Sequence, residues 1–250
     1  MLKKCFGKWL TKWSTSILPS SKGLSQETVR RNLGSNSHWS APLQAYLETP
    51  QPEPKHSLTG IEFISLDFEA TGLDFNKDKV LSIGIVNVTL ESVDLASSEE
   101  VFIKHGQFIK AETAQINEIT PKQLIQGVDL DTAMNWLLTQ IKGKVIVAHS
   151  ASIERRFIER YLSQKYNLPA FPCYFVDTLK IEKQFSYEGK SNHHTSYQLD
   201  DLRRHHNLPA YYSHSAASDA VACAELFILQ VKKFKLLSTA SLGDLCLKSS

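Results

Sequence analysis

Nowhere in its 250 residues does the chain reach the roughly 20 consecutive apolar residues that cross a bilayer, so no membrane span is expected. Cysteine is scarce. The four residues, Cys5, Cys173, Cys223 and Cys246, form no CxxC pair, which argues against a disulfide framework and for a reducing, cytoplasmic setting. No glycine-rich phosphate loop follows any expected strand, and no internal repeat is visible. The opening stretch has no arginine before Arg30, unlike an Arg-rich mitochondrial presequence, and it is too polar for a secretory core.

What is present is a composition 42% hydrophobic, enough for one sizeable domain with an extension to spare. The net charge of +2 is unevenly spread. Seven cations against Glu27 give residues 1–31 a charge of +6, which leaves −4 for residues 32–250. Within "MLKKCFGKWLTKWSTSI" the apolar residues fall at 2, 6, 9, 10, 13 and 17, a helical spacing with the lysines mostly on other faces. Such a basic amphipathic helix either packs on the main domain or touches a membrane surface or partner. Residues 18 to 60 read as irregular, and Pro50, Pro52 and Pro54 favour extended chain. The expected organisation is a basic N-terminal extension and Pro-rich linker over 1–60, a catalytic domain over 61–236, and a tail over 237–250.

From residue 61 the pattern becomes regular. "IEFISLDFEA", "VLSIGIVNVTL" and "EEVFIKHG" read as three strands of an antiparallel meander. A helix over "DLDTAMNWLLTQIKG" follows, with Asp129 or Asp131 as cap and Gly143 as stop. Then come a strand "KVIVAHS", a helix "SIERRFIERYLSQKYNL", a strand "CYFVDTL" and helices over "SYQLDDLRRHHNL" and "SDAVACAELFILQVKKFKLL". The order βββ-α-β-α-β-α-α predicts an α/β fold: a mixed five-stranded sheet with helices on both faces.

Acids interrupt this apolar pattern at three places. Asp67 and Glu69 share one face of the first strand, since a strand repeats every two residues. Glu154 lies in the first turn of the helix after "IVAHS". Asp219 lies in the first turn of the last long helix, whose apolar stripe must face the sheet, and His214 lies in the loop before it. Buried like charges repel, and hard divalent cations with oxygen ligands relieve them. The set predicts a metal-dependent phosphodiesterase-type site, with two Mg²⁺ or Mn²⁺ ions held by Asp67, Glu69, Glu154 and Asp219. His214 is the expected proton acceptor.

"LDFEATGL", "VAHSASIERRFI" and "HSAASDAVACAEL" resemble the three motifs of the DEDDh 3′–5′ exonucleases, which include the proofreading epsilon subunit of bacterial DNA polymerase III. The resemblance covers residues 61 to about 232 and implies a ribonuclease H-like fold. It matches Asp67, Glu69 and Asp219 to metal ligands, His214 to the general base, and Thr71 and Leu73 to positions that hold the terminal nucleotide. The second motif departs from the family's His-Asn-Ala-x-Phe-Asp, reading His149-Ser150-Ala151-Ser152-Ile153-Glu154, so a glutamate stands at the aspartate position. The segment "INEIT" puts Asn117 and Glu118 where the family often carries His-Gly. The implied substrate is a single-stranded nucleic acid 3′ end, DNA ahead of RNA, with an RNA-trimming exoribonuclease or a nuclease-dead 3′-end-binding module as the alternatives, and the implied partners include a polymerase or another repair protein. Expected phosphate contacts are Arg155, Arg156 and Arg160, then Arg203, Arg204, His205 and His206, the histidines reading equally as helix C-terminal cations. The loop 188–196, with His193 and His194, reads as a flap or a plain surface loop.

Overall fold

A computed structural model describes residues 26–105, 119–168, 170–191, 196–211 and 214–246. In chain order its elements are α1 (Gln26–Leu33), α2 (Ala41–Glu48), β1 (Phe63–Ala70), β2 (Val80–Val88), β3 (Val93–Phe102), α3 (Pro121–Gln126), α4 (Leu130–Gln140), β4 (Val145–Ala148), α5 (Ser152–Tyr166), β5 (Phe175–Asp177), α6 (Thr178–Phe185), α7 (Tyr187–Lys190), α8 (Leu199–His205), α9 (Ala216–Lys233), α10 (Leu236–Thr239) and α11 (Leu242–Leu245). The strands form one sheet in the order β3-β2-β1-β4-β5. β1, β2 and β3 pair antiparallel, whereas β4 and β5 run parallel to β1. This is the mixed sheet expected from the sequence. The helix caps agree too: Asp129 accepts from the Thr132 amide at 2.9 Å, and Gly143 takes φ +76° after α4.

Strand periodicity divides β1 between two cores. Ile64, Leu66 and Phe68 join Met134, Leu137 and Leu138 of α4 and Phe157 and Ile158 of α5 on one face. Phe63 faces the other way, against Phe227 and the small residues Ala220, Cys223 and Ala224 of α9. Asp67 and Glu69 continue that second face, so they point towards the N-terminal end of α9. Close approach there depends on Gly84. It pairs with Asp67 on one side and Glu100 on the other. A Cβ at Gly84 would lie 2.0 Å from the Ala216 carbonyl carbon and 2.3 Å from the Ala217 nitrogen. The backbone of α9 therefore rests directly on β2.

Several segments differ from the sequence expectation. Within 18–60, where irregular chain was expected, the structure has α1 and α2. Ser40 caps α2 through the Leu43 amide, and Leu43 and Tyr46 are fully buried. The Tyr46 hydroxyl donates to the Pro172 carbonyl at 2.9 Å, and buried Arg30 donates to the Leu47 carbonyl at 2.9 Å. Both helices have only 8 residues, so packing rather than local propensity stabilises them, and packing does not show in composition. The tail is also structured. Leu242 and Leu245 are buried, and the Gly243 amide donates to the Pro54 carbonyl at 2.7 Å, pairing the Pro-rich segment with α11. β3 starts at Val93, earlier than expected, and α3 and α6 were not anticipated. The N-terminal amphipathic segment, Asn117, Glu118, His193 and His194 lie outside the described residues. Among the described residues no helix is long and apolar enough to cross a membrane.

Gly84→Ala should cost about 1–3 kcal/mol of stability, because backbone, unlike a flexible side chain, cannot move aside. Denaturant unfolding measures this, and an unchanged midpoint would contradict the close approach.

Candidate active site

Asp67 and Glu69 leave the sheet where β1 ends, and Asp219 meets them from the first turn of α9. One carboxylate oxygen from each of the three lies within 4.8 Å of the others. Glu69 is buried, while Asp67 and Asp219 are half-buried. Burial, then the charges of Asp219 and Glu100, push the Glu69 carboxyl up to about 8. Burial also raises Asp67 well above the ordinary range, and Glu154 is its strongest charged neighbour, ahead of Asp219, Glu69 and Glu100. Burial lifts Asp219 too, partly offset by the His214 amide, which donates to its Oδ2 at 3.1 Å.

Glu154 sits outside this three-oxygen group but beside Asp67. It is 3% exposed, and burial pushes it up to about 8. Among the described residues its Oε2 has no hydrogen-bond partner. A buried carboxylate oxygen without a donor is costly unless a proton or a cation meets it. That orphan oxygen and the three converging carboxylates fit a divalent cation, whose preferred ligands are hard oxygens.

The turn bearing the second motif is held from behind. Ser150 adopts φ +64°, a left-handed conformation stabilised by its amide donating to Asp177 Oδ1 at 3.0 Å. The same oxygen accepts the Leu179 amide at 3.0 Å and so caps α6. His149 bonds the Tyr197 carbonyl through Nε2 at 2.8 Å and Thr178 Oγ1 through Nδ1 at 2.8 Å. A carbonyl only accepts, so Nε2 carries the proton. Burial lowers the His149 pKa, which keeps the ring neutral.

The loop after β1 is built around Asp78. Its Oδ1 accepts from the Thr71 hydroxyl at 2.8 Å and its Oδ2 from the Asp74 amide at 2.7 Å. Gly72 lies against this carboxylate, where a Cβ would come within 2.5 Å of Oδ2. Arg160 of α5 donates to the Asn76 and Asp78 carbonyls at 3.0 and 3.2 Å, and Arg156 lies over the Phe75 ring. The loop thus presents Leu73, 49% exposed, to solvent.

The cations expected along a nucleic-acid path are mostly engaged elsewhere. Arg155 pairs with Glu159 at 2.8 Å, one turn on. Arg203 is a correction: it is 1% exposed and donates to the Ala222 and Pro209 carbonyls and to Glu225, pinning α8 to α9. His206 is a second correction, buried against Glu182 at 2.9 Å with Lys233 Nζ 3.0 Å from its Nδ1. Both are amphipathic positions whose apolar neighbours drew them inwards. Sequence reading also missed Glu100 of β3, which accepts from Ser215 Oγ at 2.9 Å and the Ala217 amide at 3.5 Å. Two adjacent acids in "SSEEVF" look like a solvated edge, so nothing in that stretch singled it out.

Comparison with known proteins fits this geometry. The sequence profile described as Exonuclease matches residues 64–227. The chain belongs to this exonuclease family. It is similar to a DNA polymerase III PolC-type protein of Thermotoga petrophila, 25% identical over 189 residues, covering 76% of this chain but only 13% of that protein. The DNA polymerase III subunit epsilon of Treponema pallidum is 28% identical over 171 residues, 68% of this chain and 77% of that one. The structure of exonuclease X in complex with 5′ overhanging duplex DNA shares the fold, with TM-score 0.55 and 20% identity over 73% of this chain and 98% of that one. The first-named relative being far longer, family membership leaves the whole protein's substrate and partners to separate argument.

Protonation links this site to stability. Glu69 and Glu154 have folded values near 8 against an ordinary 4.5, so between those limits the folded state holds more protons than the unfolded state. Their contribution is complete below about pH 4.5 and is lost as pH rises through about 8. The metal-free protein should therefore melt at a lower temperature at about pH 8.5 than at about pH 6, and Glu69→Gln should reduce that difference. Calorimetry in EDTA at both pH values checks it.

Proposed function

We propose that the protein is a metal-dependent 3′–5′ exonuclease that releases mononucleotides from single-stranded DNA ends. The observation carrying this reading is the meeting of Asp67, Glu69 and Asp219 within 4.8 Å, beside Glu154 and with the amide of exposed His214 donating to Asp219. A fold built to collect acids that repel one another needs cations to be worth its cost. Asp67, Glu69, Glu154 and Asp219 would hold two ions, Mg²⁺ or Mn²⁺. Bound there, divalent cations polarise a phosphodiester and lower the pKa of a bound water.

The protein's own groups supply the rest. His214 is exposed, with φ +77° and its amide donating to Asp219, and its imidazole is the proposed proton acceptor. Water attacks phosphorus, its proton passes to His214, and the bond to the 3′ oxygen of the penultimate nucleotide breaks. Thr71, locked by Asp78, and exposed Leu73 hold the terminal nucleotide, Leu73 offering an apolar face to the base. Arg155 joins this contact set by exchanging Glu159 for a phosphate. A polymerase or repair protein is the proposed partner, by analogy with the epsilon-subunit relative. The buried free thiols Cys173 and Cys223 suit a reducing, cytoplasmic compartment.

The test is incubation with 5′-labelled single-stranded DNA and RNA in Mg²⁺, Mn²⁺ or EDTA. Metal-dependent, stepwise shortening from the 3′ end is expected, faster on DNA. Asp67→Ala should abolish it while folding is retained, and His214→Ala should slow it about 10²- to 10⁴-fold. No shortening of either substrate, or full activity in Asp67→Ala, would reject the reading.

A further inference from the structure

Glu100 is an acid placed where another negative charge is unfavourable. It occupies the edge strand β3, level with Gly84 of β2 and Asp67 of β1, and its charge adds to the repulsion felt by Asp67, Glu69 and Asp219. None of the three motifs includes it. Its hydrogen bonds suggest what offsets that repulsion. Oε2 accepts the Ser215 hydroxyl at 2.9 Å and lies 3.5 Å from the Ala217 amide. Ser215 is the N-cap of α9, its Oγ accepting in turn from the Ser218 amide at 3.4 Å. A continuous relay therefore runs from the sheet edge through the cap into the first turn of α9, between His214 and Asp219. Gly84 makes it feasible, since the missing Cβ lets Ala216 and Ala217 settle on β2 within reach of Glu100.

We infer that Glu100 is a positioning residue: its carboxylate clamps the Ser215 cap to β3 and so fixes His214 relative to Asp67 and Asp219. Packing of Ala216 and Ala217 on Gly84 seats the start of α9 on β2, and the Glu100 hydrogen bond adds a restraint on the cap residue Ser215 itself. Arg203 anchors the chain at Pro209, and the His214 amide is tied to Asp219, yet both restraints move with α8 and α9. Through its hydrogen bond with Ser215, Glu100 ties the cap to the sheet carrying Asp67 and Glu69. Misplacement of a reacting group by about 1 Å costs on the order of 10²-fold in rate, so losing the clamp reaches chemistry without touching substrate.

This inference rests on the exonuclease reading for its kinetic arm and stands alone in its structural one. Glu100→Ala should lower kcat about 10- to 100-fold with KM within about twofold, and Ser215→Ala added to it should cost no more, because both break one relay. Glu100→Gln keeps an acceptor for Ser215 in the same shape and should recover most of the loss. Hydrogen exchange of the metal-free protein should show faster exchange at the Ala217 and Ser218 amides in Glu100→Ala and near-normal exchange in Glu100→Gln. Three results would overturn the inference. They are unchanged kcat in Glu100→Ala, additive losses with Ser215→Ala, or an unaltered kcat at saturating Mn²⁺ with only the Mn²⁺ requirement raised, which would make Glu100 a ligand. If the wild-type protein cleaves nothing, the exonuclease reading fails and the exchange measurement alone still decides whether Glu100 holds the cap.

Discussion

Mutual repulsion among carboxylates is the constraint around which this molecule is arranged. Asp67 and Glu69 are forced onto one face by strand geometry, Asp219 meets them from one helix, and Glu154 is brought beside Asp67 by another. Each would be comfortable alone in water. Together and buried they hold their protons above the ordinary range. Much of the nearby architecture serves to keep them close despite this: the glycine contact at Gly84, the alanine-rich start of α9, and the Asp177 brace behind Ser150.

The same residues show how a sheet face changes character along its length. Phe63 and Ser65 begin the β1 face under α9 as apolar or small packing, with Phe63 and Phe227 ring centroids 5.1 Å apart. Two residues further the face turns acidic. Core packing at one end therefore provides the rigidity that electrostatics at the other end spends. Restraint of the flanking loops follows a similar logic. Arg160 and Asp78 organise the loop that presents Leu73, and Arg203 with Glu225 and Tyr211 anchors the approach to His214.

Strand alternation and helix stripes made the sheet, α4, α5 and α9 legible, because those elements bury continuous apolar faces that period 2 or 3.6 reveals. The acids at 67, 69, 154 and 219 were legible for the complementary reason: each breaks such a face. Glu100 was not, since an edge strand carries acids routinely and only the fold shows that this one turns inwards. Arg203 and His206 misled because a run of four cations looks like a solvated surface, whereas two of them satisfy buried carbonyls and a buried carboxylate. α1 and α2 escaped notice because eight-residue helices owe their existence to contacts distant in sequence, such as Tyr46 with Phe171.

α9 is what covers these acids: without it, Asp67 and Glu69 would lie on an open sheet face where water screens them. Docking of α9 seals the second core and, in the same event, dehydrates the acids, so the hydrophobic gain and the electrostatic cost arrive together. A cation held by these carboxylates would therefore stabilise the seating of α9 on the sheet as well as the acids themselves.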